Sequence, residues 1–122
     1  MEPLAKGARK FESMGQRDDA ALATIGTTVD FQNRIGLSLI EARLTELATM
    51  LKEGLRDANY NLVTPMPPML SGGVCIASVD GAQRRTIVDS LYEEYGIASA
   101  TVGGLRLSPH LYNTREHIER AI

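Results

Sequence analysis

The sequence predicts a two-layer α/β (α+β) sandwich, in which a small, mostly antiparallel sheet carries helices packed on one face. Three observations lead there. Helical and strand-like periods follow in the order helix, long helix, strand, strand, helix, strand, strand, helix. One near-continuous apolar run, "GGVCIASV", has the length and β-branched content of a buried strand. A leucine stripe recurring every three or four residues marks a long amphipathic helix. With 122 residues the chain suits one domain and can bury a core without disulfide staples.

Taken in order, the first seventeen residues are polar and show no period. Asp18 or Asp19 is expected to cap a helix through "AALATIGTTVDFQNRI" that ends at Gly36, with Leu22, Ile25, Val29 and Phe31 on its apolar face. Ser38 is expected to cap the long helix, "LIEARLTELATMLKEGLRDA", whose stripe is Ile40, Leu44, Leu47, Leu51 and Leu55. "NLVT" reads as a short strand. "PMPPML" then excludes regular structure, because proline lacks an N–H donor and fixes φ. After the "GGVCIASV" strand, Asp80 is expected to cap "GAQRRTIVDSLYEEY", with Ile87, Val88, Leu91 and Tyr95 inward and Gly96 ending it. "IASATV" and "LRLS" read as a hairpin around Gly103-Gly104. Asn113 and Glu116 have the spacing of a capping box for "TREHIERAI".

Composition excludes several classes of function. Net charge is −2 with the signs interspersed, so no basic field attracts nucleic acid or an anionic membrane. There is no tryptophan, and aromatics make up 5% of residues, too few for a base-stacking platform. The single cysteine, Cys75, forbids an internal disulfide and suits a reducing compartment. "MEPLAKGARKFESMG" lacks the apolar segment of a signal peptide, and no apolar run approaches the ~20 residues of a membrane span. The expectation is a cytoplasmic protein with neither nucleic-acid nor membrane partners.

Few residues carry a chemical signal. Arg106 places a permanent cation in "LRLS", where alternation sends Leu105 and Leu107 to one face and Arg106 with Ser108 to the other. Its planar fork suits a carboxylate, although alternation alone favours an arginine facing water on a wet sheet. His110 and His117 stand at no zinc-ligand spacing from a cysteine or carboxylate, so no metal is expected. Cys75 lies in the most apolar strand and reads as filler rather than nucleophile. Neither glycine pair has the form of a phosphate-binding turn. "GQRDDAA" leads a glycine into a helix start beside Arg17, where an anion is conceivable but an ordinary capped helix is the better reading.

Several stretches together resemble the C-terminal part of the class V aminotransferase family, pyridoxal-phosphate enzymes of fold type I, in their isopenicillin N epimerase-like branch. "KFESMGQRDDAALATIGTTVDFQNRIG" resembles the segment that closes the family's large domain, and "IEARLTELATMLKEGL" its linking helix. "GGVCIASV", "LYEEYGIA" and "LRLSPHLYNTREHIERAI" resemble its small domain, and the last is the most specific motif. The resemblance implies a large-domain remnant over 1–36, a linking helix over 37–58 and a small domain over 59–122. It assigns Arg106 to the α-carboxylate of an amino-acid substrate. It also assigns Gly15 and Gln16 to the cofactor phosphate of a neighbouring subunit, although relatives commonly have threonine where Gln16 stands.

Two departures qualify it. Cysteine desulfurases of the family carry a nucleophilic cysteine before the arginine strand; "YGIASATVGGLR" has none, so that chemistry is not expected. The family's cofactor lysine has no counterpart among Lys6, Lys10 and Lys52. The chain is therefore expected to supply part of an active site and to be inactive alone, binding no pyridoxal phosphate by itself. A homodimer or a missing large domain is the expected partner. The alternative is a stand-alone binding or assembly module that reuses the small-domain fold.

Overall fold

The structure is a computed structural model that describes residues 18–122. The chain divides into two units, Met1–Gly36 and Leu37–Ile122.

The first unit holds helix α1, Asp19–Ile35. Asp18 is its cap: the side chain accepts the N–H of Ala21 at 3.0 Å, satisfying a donor the first turn leaves free. Gly36, at φ 97, ends it. No residue of α1 is buried, and Leu22, Ile25, Val29 and Phe31 are all exposed.

The second unit opens with α2, Leu37–Asp57. It begins directly after Gly36, so Ser38 lies inside its first turn and is not the cap expected from the sequence. The leucine stripe buries only in its second half: Leu47, Leu51 and Leu55 are core, whereas Ile40 and Leu44 are half-buried.

Lys52 is the surprise of this helix. It is 0% exposed, and its Nζ donates to the carbonyls of Pro65 (3.2 Å) and Met66 (2.8 Å) and to Ser71 Oγ (2.8 Å). A buried ammonium is tolerated only when its donors are satisfied, and here all three protons have an acceptor. The acceptors belong to the proline-rich crossing. Its prolines cannot donate, so its carbonyls need donors from elsewhere.

The sheet proper is two strands, β1 (Cys75–Ala77) and β2 (Leu105–Leu107), paired antiparallel with Cys75 opposite Leu107, Ile76 opposite Arg106 and Ala77 opposite Leu105. The other two expected strands are reduced to single antiparallel bridges, Leu62 with Ala77 and Ala100 with Arg106. Across the layer the order is therefore Leu62, β1, β2, Ala100. "NLVT" stops short because Thr64 supplies a side chain where a strand would supply backbone: its Oγ1 accepts the N–H of Ile76 at 2.8 Å. Pro65 follows and has no N–H to continue the ladder. The expected hairpin closes through paired bonds between Ala100 and Arg106, at 3.0 and 2.8 Å. Gly104 makes the turn possible. It sits at φ 150, and a Cβ there would fall on the carbonyl oxygen of Ala77.

Helix α3 spans Arg84–Tyr95 and α4 spans Arg115–Ala121. Asp80 caps a preceding turn rather than α3: its carboxylate accepts Ala82 N–H at 3.0 Å, and the helix starts after Gln83. Gly96 ends α3 in the left-handed conformation at φ 66, with Gly96 N–H on the Tyr92 carbonyl and Ile97 N–H on that of Leu91. Tyr95, expected inward, is exposed. The capping box of α4 is displaced by one residue: Thr114 is the cap and His117 its partner, not Asn113 and Glu116.

The core joins Leu47, Leu51 and Leu55 of α2 to Cys75, Leu107 and Ile118. The register puts Cys75 and Leu107 side by side on this packed face. Ile76 and Arg106 pair on the opposite one.

Candidate functional site

Arg106 occupies the middle of the layer, with its backbone paired to Ile76 on one side and Ala100 on the other. Its side chain is held locally: Nε donates to Ser108 Oγ at 3.2 Å, as expected for two residues on the same face. Among the described residues no carboxylate pairs with it, which leaves both terminal nitrogens of a half-buried fork open.

The residues after the strand fix its exit. Pro109 is buried. Asn113 closes the next turn twice, accepting His110 N–H on Oδ1 at 2.7 Å and donating its own N–H to the His110 carbonyl at 2.9 Å. Because Asn113 is committed to that turn, capping passes to Thr114, whose Oγ1 accepts from His117 N while His117 Nδ1 accepts from Thr114 N, both at 3.3 Å. Arg43 of α2 pins the turn from outside, donating to the Asn113 carbonyl at 2.8 Å. Its other nitrogen binds Glu46 at 2.9 Å, and Arg115 of α4 binds the second oxygen of Glu46. Arg43, Glu46 and Arg115 thus clasp α2 to α4 around the motif.

The remaining candidates separate. His110 is exposed and lies tilted against Tyr112, with ring centroids 4.6 Å apart. Among the described residues no three histidine, cysteine, aspartate or glutamate side chains gather as a metal site. Cys75 is wholly buried, and burial pushes its thiol up from 9.0, so it remains protonated and inert at neutral pH. Gly15 and Gln16 lie outside the described residues. Arg106 lines neither the groove beside α4 nor the one between α2 and residues 68–73. Among the described residues no helix is long and apolar enough to cross a membrane.

No protein-family profile matches the chain. It is 32% identical to the isopenicillin N epimerase of Streptomyces clavuligerus over 121 aligned positions, covering 93% of this chain and 30% of that protein. It is 29% identical to the isopenicillin N epimerase of Amycolatopsis lactamdurans over 119 positions, covering 92% of the chain and 30% of that protein. Over most of its length the chain is similar to a part of these two isopenicillin N epimerases. It spans about 30% of the length of both. In fold it matches the apo structure of a cysteine desulfurase from Thermococcus onnurineus NA1, with a TM-score of 0.77 and 23% identity, over 96% of this chain and 32% of that one. The second likeness establishes the fold alone. The epimerase likeness bears out the resemblance that the sequence motifs suggested.

Among the described residues no lysine is free to bond pyridoxal phosphate. Lys52 is the lysine among them, and its nitrogen is buried with all three protons committed to structural acceptors. This role is hard to foresee, because a lysine beside a leucine stripe ordinarily extends its head to water. The signal was its place one turn after Ala48 on the stripe's edge, together with a crossing rich in carbonyls and poor in donors.

The clasp makes the fold acid-sensitive. The hydrogen bond from Arg43, then the charge of Arg115, hold the Glu46 carboxyl below its ordinary 4.5. A hydrogen bond from the Thr114 hydroxyl chiefly does the same for Glu116. A carboxylate whose pKa is depressed by folding contributes stability above its unfolded value and loses it as pH falls through the folded one. The urea midpoint should therefore hold between pH 7 and 5 and decline below 4.5. In Glu46→Gln the neutral-pH midpoint should be lower and the acid decline shallower. An unchanged acid profile in that variant would remove Glu46 from the account.

Proposed function

We propose that this chain forms the C-terminal part of a pyridoxal-phosphate-dependent enzyme of the class V aminotransferase type, acting on an amino acid. In that reading Arg106 grips the substrate α-carboxylate. The supporting observation is the open fork itself: a guanidinium oriented by Ser108, half-buried on the face of the sheet away from the core, with no acidic partner among the described residues. A permanently charged, pre-oriented fork recognises a carboxylate through two parallel hydrogen bonds. β2 and its paired neighbours make its backbone rigid, which is what substrate positioning requires.

The cofactor lysine belongs, in this proposal, to the portion of the relatives that this chain does not span. Gly15 and Gln16 are proposed to face the cofactor phosphate of a neighbouring subunit, on resemblance alone. By itself the chain is proposed to be inactive. The reaction type follows the epimerase relatives by name only, and the geometry speaks to the carboxylate.

A chimera tests the role of Arg106. This chain replaces the matched 30% of the Streptomyces clavuligerus epimerase. Arg106→Gln in that chimera should lower kcat/KM roughly ten- to hundredfold, as expected for losing charge-assisted hydrogen bonds of ~1.5–3 kcal/mol, chiefly through KM. Arg106→Lys should recover only part. Equal kcat/KM in all three proteins would overturn the assignment.

A second reading has its own support. With no residue of α1 buried, the stripe Leu22, Ile25 and Val29 calls for a covering surface, and a self-assembling module would provide one. Sedimentation of the 122-residue chain separates the two. A discrete dimer across a wide concentration range favours the module. A monomer, or ill-defined association, favours a part that needs its large domain.

A further inference from the structure

A groove of about 360 Å³ lies where the end of α3, the exit of β2 and α4 meet, and it contains none of Arg106. Its floor is apolar: Leu107 and Ile118, both core residues, line it. Its rim carries Tyr112, Asn113, His117 and Arg120. No aspartate or glutamate lines it; Glu116 and Glu119 of the same helix stay outside.

The hydrogen bonds already made decide what the rim still offers. Asn113 spends its side-chain oxygen on His110 N–H, so the amide NH₂ is what remains. His117 accepts from Thr114 N–H on Nδ1, so a neutral ring carries its proton on Nε2 and presents a donor. Arg120 is exposed and has no ion pair among the described residues. Its five N–H groups are therefore available. Each of these three groups offers at least one donor, and one is permanently charged, while the floor beneath them is hydrocarbon.

We propose that this groove, formed by Leu107 and Ile118 below and by Asn113, His117 and Arg120 above, binds a small organic carboxylate with a short apolar or single-ring body. The charge complements the rim, and the body rests on the apolar lining, where Ile97 and Ala121 are half-buried above the core edges of Leu107 and Ile118. The volume lies near the lower end of the ~300–1,000 Å³ typical of small-molecule sites, which sets the ligand at one ring rather than a nucleotide. The site is separate from Arg106. Ser108, which lines the groove and also accepts from Arg106 Nε, is a point of contact between the two.

The test is an NMR titration of the full chain at neutral pH with 3-phenylpropionate and with its uncharged analogue, 3-phenylpropanamide. The acid should shift the methyl signals of Leu107 and Ile118 saturably and bind at least tenfold more tightly than the amide. Arg120→Gln should weaken the acid about five- to tenfold and leave the thermal midpoint unchanged. Asn113→Asp keeps the acceptor for His110 N–H but turns the rim's amide into a carboxylate, and it should abolish binding of the acid. Equal affinity for acid and amide, shifts confined to the surroundings of Arg106, or wild-type affinity in Arg120→Gln would each overturn the proposal. Arg120 is exposed and outside the core, so its variant remains informative even if Asn113→Asp disturbs the turn.

Discussion

One buried ammonium organises the second unit. Lys52 anchors the crossing that carries the chain from α2 to β1, through two carbonyls and a hydroxyl contributed by residues 65–71. That crossing holds three prolines and is short of internal donors. Without the ammonium the Pro65 and Met66 carbonyls would lose a donor that the neighbouring prolines cannot supply. The consequence travels outward. The anchored crossing delivers Cys75 to the core, Cys75 sets the register of Leu107, and that register puts Arg106 on the opposite face. Lys52 is thus a structural tie, with all three of its protons committed.

The motif "LRLSPHLYNT" is economical in the same sense, because most of its polar atoms have local duties. Ser108 orients Arg106, Asn113 closes a turn, and Thr114 caps α4. Arg43 and Glu46 fasten the motif to α2 from outside. Among the described residues, the fork of Arg106 on one face and the guanidinium of Arg120 beside the groove have no acidic partner. Unpartnered cations in a network otherwise well satisfied are where ligands are expected.

The helices were legible in the sequence and the strands were mostly not. Each helix covers enough turns for the apolar period and for end signals such as Asp18 and Gly96 to declare themselves. The strands are only three residues long, and their outer neighbours are single bridges, too short for alternation to register. Side-chain substitution hid the rest. Thr64 Oγ1 replaces a ladder acceptor, Asp80 caps a turn instead of a helix, and Asn113 is diverted so that the cap shifts to Thr114. Such choices depend on partners distant in sequence, as with Arg43 and Asn113, 70 residues apart. At the site, alternation put Arg106 and Ser108 on one face, but the lack of an acidic partner among the described residues and the donor-rich groove emerge only from the folded chain.

The dependence of Arg106 on Lys52 can be read most directly by native-state amide hydrogen exchange in Lys52→Met, a substitution that keeps the buried stem and removes the three donated bonds. Faster exchange is expected at Ser71, at Ile76 and at Arg106, whose N–H is bonded to Ala100, while the amides of α1 keep their wild-type rates. Faster exchange limited to residues 65–71, with Ile76 and Arg106 protected as before, would contradict the claim that the buried ammonium sets the sheet and the arginine it carries.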